Sequence, residues 1–173
     1  MPLQCKPEVS HKPEGLLAFL LPYRAGLNRA NRHGQSINMR PVFQTEFEEG
    51  RGNALQACVS SLLELSLEDV PNFIEFADYR QTMNEWLAKR GLAFLRVDLV
   101  DGELPYSTAP GLGLLLAGKS PRGDHRHVIL AATSAEGFQM LHDPHPSGAG
   151  IHGNALWAGF LIPLAIAGDG PAS

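Results

Sequence analysis

Gly52-Asn53-Ala54-Leu55-Gln56-Ala57-Cys58-Val59-Ser60-Ser61-Leu62-Leu63, residues 52–63, is where this chain changes its periodicity. Leu55, Val59, Leu62 and Leu63 fall three and four apart, on one face of a helix, with small Ala57, Cys58, Ser60 and Ser61 between them. Asn53 is a favourable N-cap for that helix. Upstream, residues 41–47 (PVFQTEF) alternate loosely and read as a short strand. Glu48-Glu49-Gly50-Arg51-Gly52-Asn53 reads as the loop that joins strand to helix.

Downstream, Ser66-Leu67-Glu68-Asp69 carries a second cap and a short helical turn, stopped by Pro71. A second helix is expected from about Ile74 to Lys89. Phe76, Tyr79, Met83, Trp86 and Leu87 make its apolar stripe and Gly91 ends it. Strands are then expected at Leu92–Leu99, Leu112–Ala117, His127–Ala132, Phe138–Leu141 and Ala158–Leu164. Helices first and a run of strands after predict an α+β domain with its helices packed on an antiparallel sheet.

Composition sets outer bounds on this reading. The 173 residues are 44% hydrophobic, which suits a packed globule and excludes a disordered chain. A domain of this size buries roughly two thirds of its unfolded surface and needs no staple. The 2 cysteines exclude a disulfide framework and a Cys-rich zinc module. No apolar run reaches the roughly 18 residues of a membrane span. Leu16 to Leu21 is apolar, but His11, Lys12 and Glu14 precede it and no small-residue cleavage site follows. A cytoplasmic protein, or an effector delivered from the cytoplasm, is therefore expected.

Charge divides the chain. Residues 1–40 hold six Lys/Arg against two Asp/Glu, a net of +4, while residues 41–173 sum to −8. The acidic body argues against a nucleic-acid surface. The expected organisation is a basic arm over residues 1–38, a domain over 39–168 and a tail over 169–173. Glu46, Glu48 and Glu49 read as a solvated run, and Cys5 as an incidental thiol of the arm.

Four features of the body occur in an order that nucleophilic chemistry can use. Gln44 precedes the Gly52-Asn53-Ala54 turn that opens the first helix. His127 heads an apolar strand, HVILAA. Asp143 follows one strand later, in His142-Asp143-Pro144-His145-Pro146. A cysteine hydrolase wants its thiol at a helix N-terminus, where unpaired N–H groups and the helix dipole favour thiolate. It wants a histidine as base and then acid, and a carboxylate to orient that imidazole. An upstream glutamine can help to bind the oxyanion.

Gly52-Asn53-Ala54-Leu55-Gln56-Ala57, followed by Ser60-Ser61-Leu62-Leu63, resembles the GNC(L/F)QA…SLL start of papain-like cysteine peptidases. HVIL…HDPHP resembles the His-strand-Asp-Pro half of the same superfamily. The layout is similar to that of the bacteriocin-leader-processing (double-glycine) peptidases and their small bacterial and phage relatives, over roughly residues 40–165. The resemblance implies a papain-like fold and a peptide or protein substrate, with no cofactor and no metal. It assigns Ala54 to the nucleophile position, His127 to the base, Asp143 to the orienting residue and Gln44 to the oxyanion hole.

The chain departs from that pattern at Ala54, which has no thiol. Either a cysteine has been replaced by alanine, which would trap a substrate or stop self-cleavage, or the protein is a natural pseudoenzyme that keeps its cleft to bind a peptide or partner. An effector or toxin amidase of the same superfamily would share the chemistry and differ in substrate.

Other residues compete for roles. Cys58, one turn after position 54, is an alternative nucleophile or a small core residue. His125 is a rival base two residues before His127. His125, His127, His142, Asp143 and His145 could be read as metal ligands, although no HExxH or paired CxxC accompanies them. Trp157 and Phe160 are expected in the core or as pocket wall. A propeptide role for residues 1–38 predicts that their removal raises activity.

Overall fold

The computed structural model of this chain describes residues 39–48 and 50–164. The basic arm 1–38 with Cys5, Glu49 of the acidic run, residues 165–168 of the expected domain and the tail 169–173 lie outside the described residues.

Residues 41–47 form no strand, contrary to the alternation in their sequence. Their backbone donors are spent elsewhere. Val42 N–H donates to Ser61 Oγ at 2.9 Å and Gln44 N–H to the Pro144 carbonyl at 3.0 Å. Thr45 and Glu46 N–H both donate to Asn53 Oδ1, at 3.0 and 2.9 Å. With the donors of residues 42, 44, 45 and 46 taken by side chains and a distant loop, the segment cannot run a regular ladder.

Helix α1 is Ala54–Leu63. Asn53 stands at its N-cap position, but its side chain makes no capping bond. The carboxamide turns outward to residues 45 and 46 instead, and its Nδ2 donates to Gln56 Oε1 at 3.0 Å. The buried hydroxyls of Ser60 and Ser61 fold back onto the carbonyls of Gln56 and Ala57, so the small face of α1 packs without unpaired groups. A single 3-10 turn follows at Leu67–Asp69, where Ser66 Oγ donates to Asp69 Oδ2 and caps no backbone group.

Helix α2 is Tyr79–Ala88, so it begins later than the apolar spacing predicts. Phe73–Glu75 is a separate 3-10 turn. The divide is set by Asp78, whose carboxylate accepts the N–H groups of Arg80 and Gln81 at 3.1 and 3.0 Å. Phe76 therefore falls outside the helical stripe and is exposed. Phe73, Met83 and Leu87 are fully buried.

The strands are β1 (Leu92–Asp98), β2 (Gly113–Lys119), β3 (Arg126–Ser134), β4 (Gly137–His142) and β5 (His152–Pro163). They form one antiparallel sheet in the order β1-β5-β2-β3-β4, so the last strand inserts between the first two. β5 starts at His152, well before the apolar run at Ala158, because pairing with β2 resumes at Lys119↔His152 across a register shift.

The sheet is buried on both faces at its centre. Leu115, Ala117, Leu130, Trp157 and Leu161 point to the helices and share a core with Leu55, Val59, Phe73, Met83 and Leu87. Leu114, Leu116, Ile129, Ala131, Ala158 and Phe160 form a second cluster, covered by Leu99, Leu104 and Ile151. That two-sided burial is why β2 reads as an unbroken apolar run and not as an alternation. The architecture is α+β, two helices and a five-stranded antiparallel sheet. Among the described residues no helix is long and apolar enough to cross a membrane.

Candidate active site

His127 lies near the start of β3 and is 4% exposed. Across the strand pair it meets Gly118 of β2, where the space a side chain would need is filled by Ile151. Its Nε2 lies 2.7 Å from Asp143 Oδ1, and the two side chains are 4% and 1% exposed.

Asp143 opens the loop between β4 and β5. Its carboxylate is bonded on both oxygens. His145 N–H donates to Oδ1 at 2.9 Å and Gly150 N–H to Oδ2 at 2.8 Å. Arg122 Nη1, from the β2–β3 turn, stands 3.7 Å from Oδ2. Burial disfavours the carboxylate, but the bonds from His127, His145 and Gly150 outweigh it, and Asp143 is held below its ordinary pKa. For His127 burial dominates and lowers the pKa, against the raising effect of Asp143 and with lowering contributions from Arg122 and His145. The resting pair at neutral pH is thus a neutral imidazole on an ionised carboxylate. The carboxylate can only accept, so Nε2 carries the proton and donates it. Nδ1 is then the ring nitrogen left with a free lone pair.

Gln44 is 7% exposed and is tied to the same loop by its N–H bond to Pro144. Its Nε2 donates to Glu46 O at 2.8 Å, which uses one of two amide hydrogens. Its Oε1 is buried and has no hydrogen-bond partner among the described residues. His142, next to Asp143, closes the junction from the other side through Nε2 to Val42 O at 2.9 Å.

Ala54 is the first residue of α1. The N–H groups of a first helical turn have no intrahelical acceptor, and the Asn53 side chain does not take them. The helix packs on β3, with Cys58 Sγ donating to Val128 O at 3.6 Å. Three links thus join position 54 to the His–Asp pair: Asn53 to residues 45 and 46, Gln44 to Pro144, and α1 to β3.

The competing residues separate. Cys58 is wholly buried, and desolvation, assisted by the nearby Asp143 charge, raises its pKa well above the ordinary thiol value. Such a thiol is inert. His125 lies outside β3, in the turn, where its carbonyl accepts Ser120 N–H, and it makes no bond to Asp143. Among the described residues no three His, Cys, Asp or Glu side chains converge as metal ligands. His142 turns to Val42 and His145 to Ser147, away from a common centre. Trp157 and Phe160 are buried on opposite faces of the sheet, both in core clusters. Glu46 and Glu48 are exposed.

Two residues enter the site that the pattern of residues does not single out for it. His145 lies edge-on to His127, with ring centroids 6.4 Å apart. Its place in HDPHP is a visible signal. Arg122 has none, because it reaches Ser147 across 25 residues of chain. No known family model matches this sequence, and no curated protein or solved structure matches it.

Proposed function

We propose that this chain is the alanine form of a papain-like cysteine peptidase or amidase. The observation that carries the reading is the buried His127–Asp143 pair at 2.7 Å, linked to a helix that begins at Ala54 with its first-turn N–H groups uncapped. Gln44, bonded to the loop of Asp143, supports it.

With a cysteine at position 54, the thiol proton would pass to His127 Nδ1, since Nε2 is engaged by Asp143. The thiolate would attack the substrate carbonyl. The backbone N–H of residue 54 and the second amide hydrogen of Gln44 would hold the oxyanion. The imidazolium would return its proton to the leaving amine as the thioester forms. Water, deprotonated by His127, would then release the acid and restore the thiol. The substrate is a peptide or protein, cleaved at a peptide or isopeptide bond. The chain as it stands lacks the nucleophile and would bind such a substrate without turning it over. Ala54 itself favours one further reading, a natural pseudoenzyme whose cleft serves only binding.

The test is alkylation of the Ala54→Cys variant by iodoacetamide across pH, with each site located by peptide fragmentation. An unperturbed thiol titrates at about 8.5. The expected result is fast labelling at position 54 well below that pH, slowed when His127→Ala is added, with Cys58 unlabelled. An ordinary thiol profile at position 54, indifferent to His127, would rule out a primed nucleophile and favour the binding reading.

A further inference from the structure

We infer that Arg122 is a positioning residue of the His127–Asp143 pair: it pins the loop that carries Asp143 and sets a permanent positive charge beside that carboxylate, and so extends to lower pH the range over which His127 can act as a base.

The arginine is built into place from both ends. Its N–H donates to Ser120 Oγ at 3.2 Å, and Ser120, itself buried, closes the β2–β3 turn by donating its N–H to His125 O at 2.8 Å. The far end donates from Nη1 to Ser147 Oγ at 2.9 Å. Ser147 in turn bonds His145 Nδ1 through its hydroxyl, at 2.9 Å, and through its N–H, at 3.1 Å. One guanidinium thereby locks the turn before His127 to the loop after Asp143.

Among the described residues its charge is not spent on another acid. Asp124 in the same turn pairs with Lys119 at 3.1 Å. Arg122 Nη2 is buried without a hydrogen-bond partner among the described residues. The carboxylate it faces, at 3.7 Å, is 1% exposed, so solvent screens the interaction poorly. A cation here favours ionised Asp143 and opposes protonation of both imidazoles, and Arg122 lowers the pKa of His127 and of His145 alike. Among the described residues the other titratable groups around the pair are His145 on the loop and Cys58 on α1, while β2 presents only Gly118.

The electrostatic coupling stands without the hydrolase reading. Its consequence for catalysis rests on that reading. The experiment is an NMR pH titration of the His127 ring in the chain as it is, with the signal assigned by its loss in His127→Gln. Arg122→Gln should raise the midpoint by about half a pH unit, less than the roughly one to three units of a charge in direct contact, because Arg122 acts from behind Asp143. Arg122→Lys should restore most of the original midpoint. Lys119→Gln, which removes a charge from an exposed pair at the same hairpin, should leave it unmoved. Ser147→Ala, which frees the guanidinium without removing it, should shift the midpoint upward by less, and it serves if Arg122→Gln does not fold. A midpoint unmoved by Arg122→Gln or by Ser147→Ala, or moved as far by Lys119→Gln, overturns the inference.

In the Ala54→Cys background, Arg122→Gln should displace the whole alkylation profile to higher pH, since loss of a cation disfavours thiolate and favours imidazolium. Should Ala54→Cys itself show an ordinary thiol, the hydrolase reading fails, and the titration of His127 still decides the role of Arg122.

Discussion

Asp143 is nearly sealed from solvent and yet ionised, held by two N–H groups of its own loop and by a histidine from β3. His127 Nε2, two backbone N–H groups and the Arg122 guanidinium surround it. This commits the imidazole to one tautomer and leaves Nδ1 as the ring nitrogen with a free lone pair. Histidine and aspartate were both legible in the sequence, from a strand head and from HDPHP, but which ring nitrogen faces the acid was not, because that depends on how the two loops approach. Gln44 shows the same division. Its residue type and order were legible, while its tether to Pro144 is a tertiary bond. On the proposed hydrolase reading, loss of an oxyanion-hole donor has a known scale: Gln44→Ala in an Ala54→Cys background should lower turnover of a peptide reporter by about 10²- to 10³-fold. Alkylation at position 54 forms no oxyanion and should change little. Equal loss in both assays would mean that Gln44 only holds the loop.

Helix ends decide how the elements meet, and the two caps behave oppositely. Asp78 caps α2 in the ordinary way, so Asp78→Ala should cost about 1 kcal/mol in urea unfolding and leave the site untouched. Asn53 sits at the corresponding position of α1 but accepts from Thr45 and Glu46, not from the helix. Asn53→Ala should cost about 1–3 kcal/mol, the net scale for losing two hydrogen bonds, and should also loosen the Gln44 segment, seen as faster amide exchange at residues 45 and 46. A stability loss without that local signature would show that Asn53 serves α1 alone. The helix at residues 54–63 and most strand cores were legible because apolar spacing reports the buried face directly. The false strand at 41–47 and the early start assigned to the second helix arose where alternation or spacing was present but a polar side chain, Asn53 or Asp78, took the backbone donors first.

Acid should unfold the molecule through the same pair. The folded pKa of His127 lies below its ordinary 6.5 and that of Asp143 below its ordinary 3.8. Both groups therefore bind fewer protons folded than unfolded, and stability rises with pH wherever that difference persists. The His127 contribution is complete above 6.5 and is lost as pH falls from there towards its folded value; that of Asp143 follows as pH falls below 3.8. Urea midpoints measured between pH 7.5 and 4.5 should fall across that range, and His127→Gln should flatten the upper part of the fall. An equally steep fall in that variant would assign the acid sensitivity to other groups. The sequence by itself determined the α+β class, the first helix with alanine at its head, and the residue types available for chemistry. These follow from local periodicity and from which side chains can ionise near neutrality. Only the tertiary structure decided the insertion of β5 between β1 and β2, the union of His127 with Asp143 and the approach of Arg122. Those depend on packing both faces of one sheet and on contacts between residues far apart in the chain, which no local pattern records.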